Sequence, residues 1–148
     1  MKESAMAAVF RELSRCFTAG AFGGLLNAVF VWGAGVLGVS ALMGVNIAPA
    51  WTPPWLYQKL VWGGMWGFVF LLPVWTGSVL FRGLVFGLAP SVVQLLVVFP
   101  QMLGKGMFGL ELGQMTPVYV VVANTVWGVG AAWWEIMNHD RMRFSNKL

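Results

Sequence analysis

Charge is scarce in this sequence. Five acidic and nine basic side chains make up 9% of 148 residues, where a soluble domain carries about a quarter. That scarcity argues against a soluble globular fold. A single cysteine, Cys16, excludes an intramolecular disulfide and any multi-cysteine metal site. A single histidine, His139, excludes histidine-rich metal sites and bis-histidine haem ligation within one chain. Catalytic patterns are missing as well. Gly104-Lys105-Gly106 lacks the preceding glycine and the following Ser or Thr of a phosphate loop, and neither a carboxylate dyad, a zinc-protease helix motif nor Gly-x-Ser-x-Gly occurs. These absences lead us to expect a protein that is not an enzyme and that needs no cofactor or metal.

What is present is apolar bulk: 59% hydrophobic residues, with nine Trp, eleven Phe and nineteen Gly, a balance typical of helices in lipid. Four apolar stretches are long enough to cross about 30 Å of hydrocarbon, at about 17–45, 55–75, 79–99 and 117–136. The first exceeds by far the 7–15 apolar residues of a signal-peptide core, so it reads as a retained helix. The third reaches full length only if Arg82 snorkels to the interface. The expected fold is therefore all-α, an integral membrane four-helix bundle. Residues 1–16, with Arg11, Glu12 and Arg15 among Met6, Val9, Phe10 and Leu13, read as an amphipathic surface helix. Residues 137–148 form a basic tail. Pro49, Pro53 and Pro54 mark the first connection as extended, and Thr76-Gly77-Ser78 reads as a tight hairpin. Residues 100–115 are too apolar for a free loop and read as a re-entrant or interfacial segment.

Lys and Arg set the orientation. Lys2, Arg11, Arg15, Arg82, Arg141, Arg143 and Lys147 fall on one side, and only Lys59 and Lys105 on the other. Seven against two places both termini in the cytoplasm, with a bacterial inner membrane as the expected location. An offset of 64 residues aligns Phe22-Gly23 with Phe86-Gly87 and Thr52-Pro53 with Thr116-Pro117, and pairs Val29 with Val93, Met43 with Met107 and Gly64 with Gly128. Those seven identities, where composition alone yields about four, suggest a two-plus-two internal repeat about an axis along the membrane normal.

Lipid offers no hydrophobic drive between helices, so close backbone approach and interhelical hydrogen bonds must hold them together. The first helix carries Gly20, Gly24 and Ala28 at steps of four, with Gly23, Asn27, Ala34 and Gly38 on an adjacent stripe. The second carries Gly63 and Gly67; the third Gly83, Gly87 and Ser91, with Gln94 following; the fourth Asn124, Gly128, Ala131 and Glu135. Three of these stripes thus hold one amide each. Asn27, Gln94 and Asn124 either bond across a tight bundle or line a polar path, while Pro90 kinks the third helix and frees the Phe86 carbonyl. Glu135 is expected to pair with Arg82 or Arg141 or to be solvated, and Lys105 to pair with Glu111. Trp51, Trp55, Tyr57 and Lys59 form an outer interfacial belt, and Trp75, Trp133 and Trp134 an inner one.

In this general pattern the chain resembles small four-helix inner-membrane proteins of bacteria, a resemblance that carries no specific residue and no activity. The favoured reading is a non-catalytic accessory or structural subunit of a membrane complex. Its aromatic surface would pack against a partner membrane protein, a second copy, a bound lipid or an apolar cofactor. The alternative is a small oligomeric transporter or channel lined by the three amides. Nucleic acid is not an expected partner, since three basic residues in the tail are too few for a binding face.

Overall fold

A computed structural model describes the backbone of residues 5–145 and the side chains of residues 5–138. Lys2 and Lys147 lie outside the described residues, as do the side chains of His139, Arg141 and Arg143. Among the described residues every regular element is helical. Five α-helices follow one another: α1 (Ala5–Val36), α2 (Val39–Leu42), α3 (Pro53–Trp66), α4 (Val79–Val93) and α5 (Thr116–Ser145). Three helical stretches are long and apolar enough to cross a membrane: Ala5–Val36, Val79–Met102 and Thr116–Asn138.

The boundaries follow from local chemistry. No Pro interrupts the chain between Ala5 and Val36, and α1 runs unbroken for 32 residues through its glycines. Over residues 5–16, the part of the expected 1–16 surface helix that the structure describes, the chain is the continuous first part of α1. At the other end α1 stops at Val36 instead of continuing to Val45. Gly38 there adopts φ 74°, the left-handed conformation that ends helices, and Gly44 does the same after the short α2. Pro53 and Pro54 open α3, where their missing N–H groups cost nothing. Beyond Trp66 the helix tightens into a 3₁₀ stretch, Gly67–Leu71, and Leu72 is already extended. Ser78 Oγ accepts the Phe81 N–H at 3.2 Å and caps α4. After Val93, α4 passes into a π-helical stretch, Gln94–Met102, which contains Pro100. The segment expected to be re-entrant holds a 3₁₀ turn, Met107–Leu112, with Phe108 and Gly109 at positive φ.

The packing runs in a row, α3–α1–α5–α4. Close approaches show every neighbouring pair to be antiparallel. Gly20 and Gly24 of α1 face Gly67, at the start of the 3₁₀ stretch, and Gly63 of α3, and Gly83 and Gly87 of α4 face Gly128 and Asn124 of α5. Ala28, fully buried on the same side of α1, extends that stripe. A Cβ on Gly20 would stand 2.2 Å from the Gly63 oxygen, and one on Gly128 would stand 2.0 Å from the Gly83 oxygen. The two glycine crossings are alike in layout. They correspond at 63 positions in the first helix of each pair (Gly20 to Gly83) and at 61 in the second (Gly67 to Gly128), not at a uniform 64.

We call the end where α1 begins and α5 finishes the base, and the opposite end the crown. At the base Cys16, Phe70, Phe86, Trp127, Ala131 and Ala132 form one buried cluster. Near the crown Val31, Ala34, Val45, Tyr119 and Ala123 form a second, and Leu95, Phe99 and Val120 a third, with Ile47 packed against both. The two crown segments interlock. The Asn46 N–H donates to the Leu112 carbonyl at 2.7 Å, and Gly113, at φ 135°, lies so close to the Gly44 carbonyl that no side chain fits.

Candidate functional site

Two buried polar clusters stand out in this apolar chain. The first lies at mid-height. Asn27 sits midway along the apolar part of α1, about ten residues or 15 Å from either Phe17 or Val36. Its Nδ2 donates to the Ala123 carbonyl at 2.8 Å and to Asn124 Oδ1 at 3.4 Å. Asn124 Nδ2 donates in turn to Ser91 Oγ at 3.1 Å and to Gln94 Oε1 at 3.3 Å. Ser91 Oγ donates to the Gly87 carbonyl at 2.8 Å, one turn back in α4. Its bond therefore relieves Gly87, not the Phe86 carbonyl freed by Pro90.

The structure brings all three sequence-predicted amides into one chain of hydrogen bonds. Asn27 is 4% and Asn124 8% exposed, so water does not serve them. The chain begins at a residue read from sequence as part of an interfacial belt. Lys59 turns inward, and its Nζ donates to Asn27 Oδ1 at 2.9 Å while lying 5.7 Å from the Trp55 ring centroid. The whole connection runs Lys59–Asn27–Asn124–Ser91/Gln94 and touches α3, α1, α5 and α4 in order. It runs across the helices, not along them. Nothing in the sequence alone marks the inward turn of Lys59, which lies about two turns inside α3.

The second cluster occupies the base. Arg82, expected to snorkel outward, is instead only 4% exposed and pairs with Glu135, itself 4% exposed. The physical reason is local. Where the 3₁₀ stretch ends, the Phe70 and Leu72 carbonyls lack helical partners, and Arg82 Nη2 donates to them at 2.9 and 3.0 Å. Its guanidinium also lies 5.0 Å from the Phe70 ring and 5.5 Å from the Phe86 ring. Glu135 accepts from Arg15 at 3.3 Å, and Arg15 also pairs with Glu12 one turn earlier in α1. Glu135 is thus doubly paired and buried, not solvated. A cavity of about 330 Å³ adjoins these side chains, with Glu12, Arg15, Thr76, Arg82 and Glu135 in its lining.

The remaining sequence readings fall elsewhere. Lys105 and Glu111 meet through the main chain, the Glu111 N–H donating to the Lys105 carbonyl at 3.3 Å, instead of as an ion pair. Trp75 and Trp133 are half exposed near the base, and Trp51 contacts both Trp32 and Trp55 at the crown. Among the described residues no three His, Cys, Asp or Glu side chains gather to hold a metal ion. Comparison with protein-family models, with curated proteins and with solved structures finds no match to this chain.

Proposed function

We propose that this protein is a non-catalytic accessory subunit of a membrane complex, built on four membrane crossings with both termini in the cytoplasm. The observation that carries the reading is the transverse amide chain. Asn27, Asn124 and Ser91 spend their donors on one another and on main-chain carbonyls, which is how polar side chains glue helices in lipid. A conduit needs polar groups ranged along the membrane normal, and these are ranged across it.

The fourth crossing is argued from direction. α1 and α4 are each antiparallel to α5, so they point the same way, and the chain between them must return across the bilayer. α3 with the following 3₁₀ stretch makes that return. Fourteen α-helical residues and five 3₁₀ residues span about 31 Å, close to the hydrocarbon thickness. The charge bias of the sequence supports the orientation. Abundant exposed aromatic and aliphatic residues, Trp62 and Phe81 among them, supply the surface for a partner.

Extraction in mild detergent, native-gel separation and mass spectrometry of the co-migrating species test this reading. A stoichiometric complex with a different membrane protein is the expected result. A homo-oligomer alone, with solute flux after reconstitution, would overturn it in favour of a transporter.

A further inference from the structure

Lys59 is an ammonium group at the bilayer midplane with no carboxylate to answer it. Its main-chain carbonyl lies against Gly24, and its Nζ bonds to Asn27, so both ends of the residue sit near the middle of the apolar part of α1. The chain has five acids. Glu12 and Glu135 lie at the base, about 18 Å or more below Asn27 along the helix axis, and Glu111 lies in the crown. Glu3 and Asp140 fall outside all the apolar stretches. Among the described residues, the one hydrogen-bond acceptor that Lys59 Nζ reaches is the neutral Asn27 oxygen. Intramembrane charges are costly, face the bundle interior, and pair with one another or with main-chain carbonyls, and Lys59 has neither kind of partner for its Nζ among the described residues.

The position of α3 sharpens the point. Its main packing is along α1, at the end of the row, whereas α1 and α5 each have two main neighbours. Its outer side carries Tyr57, Val61, Trp62 and Met65, each 50% exposed or more. Helical spacing puts Lys59 on the flank between that face and the α1 contact, beside Trp55 and Trp62. A second copy of this chain offers no acid at that depth. Lipid phosphates lie about 15 Å from the midplane, beyond a side chain already bonded to Asn27.

We propose that the open flank of α3 docks a partner transmembrane helix carrying a carboxylate at the bilayer midplane, with Lys59 as its counter-charge. This names the partner class of the accessory-subunit reading and rests on it. The lysine has three N–H donors, one of which serves Asn27, so two are free for the carboxylate.

The test uses a defined probe. A labelled host peptide of about twenty Leu and Ala residues, with a central Glu, Gln or Leu, is reconstituted with the full chain in phosphatidylcholine vesicles, and association is read by energy transfer. The Glu peptide is expected to bind at least about tenfold more tightly than the Gln and Leu peptides. Lys59→Met should abolish that preference, and Lys59→Arg should retain it. Equal binding of Glu and Gln peptides to the wild-type chain overturns the proposal, as does a preference that survives Lys59→Met. Should Lys59→Met fail to fold, the wild-type and Lys59→Arg comparisons decide alone. A chain that leaves its native membrane as a homo-oligomer refutes the accessory reading separately, whatever the peptides do.

Discussion

Replacing Gly20 with Ala adds one methyl group, and the geometry says that one is too many. The Cβ would stand 2.2 Å from the Gly63 oxygen and 2.6 Å from the Gly67 Cα. Relief to the 3.4 Å of ordinary contact requires α1 and α3 to part by about 1.2 Å at the crossing. Both obstacles are main chain, so no rotamer change absorbs the clash. Overpacking of this kind costs typically about 1–3 kcal/mol, against a helix-propensity gain for Ala of about 0.8–1.0 kcal/mol. Gly20→Ala should therefore destabilise by up to about 2 kcal/mol net. Gly33 lies in the same helix, and a Cβ there meets nothing within 4 Å. Gly33→Ala keeps the propensity gain without the clash and should be neutral or stabilising. Thermal unfolding of both variants in the same detergent, followed by circular dichroism, measures the difference. Equal melting temperatures for Gly20→Ala and Gly33→Ala would refute the argument that backbone proximity holds α1 to α3.

Asn124→Leu removes the hub of the amide chain and should cost more than Gln94→Met, which removes one acceptor; each bond is worth roughly 0.6–2 kcal/mol, and chemical denaturation in detergent ranks the two. A smaller loss in Asn124→Leu than in Gln94→Met would contradict the network. Arg82→Met leaves Glu135 buried and half-paired and should destabilise by about 3–5 kcal/mol, while the double variant Arg82→Met/Glu135→Met should lose less than the sum of the singles in a double-mutant cycle. Topology is checked by single-cysteine labelling with an impermeant reagent in a Cys16→Ser background. Cysteine at position 105 should label from outside and cysteine at position 147 should not, and the reverse pattern would invert the orientation.

The helical architecture, with helices long and apolar enough to cross a membrane, is legible in the scarcity of charge together with the length of the uninterrupted apolar runs. The four-residue spacing of Gly20 and Gly24, and of Gly83 and Gly87, is legible too, since a repeat near 3.6 puts small residues on one face. Which helix they meet is not. That depends on the row α3–α1–α5–α4, in which the second and fourth elements both pack on others' glycines. Charged residues misled most. Arg82 and Lys59 each lie near the start of an apolar stretch, where snorkelling is the default, and each turns inward because a buried acceptor waits there. Those acceptors are the Phe70 and Leu72 carbonyls, released by the 3₁₀ end of the second apolar stretch, and Asn27 of another helix. Both are tertiary facts. The continuity of α1 was obscured for a different reason, since a change from amphipathic to apolar composition looks like a boundary even when no residue breaks the helix.

The row of helices also fixes an order of assembly. During synthesis α1 and α3 emerge first and can close on their shared glycines at once. α4 comes next, but its main packing surface belongs to α5, which is made after it. Until then Ser91 and Gln94 have no Asn124 to bond, and Asn27 lacks its inner partner. α5 is consequently the keystone of these four helices. A chain stopped before Thr116 would hold one closed hairpin, α1 with α3, and one helix, α4, without its main packing partner.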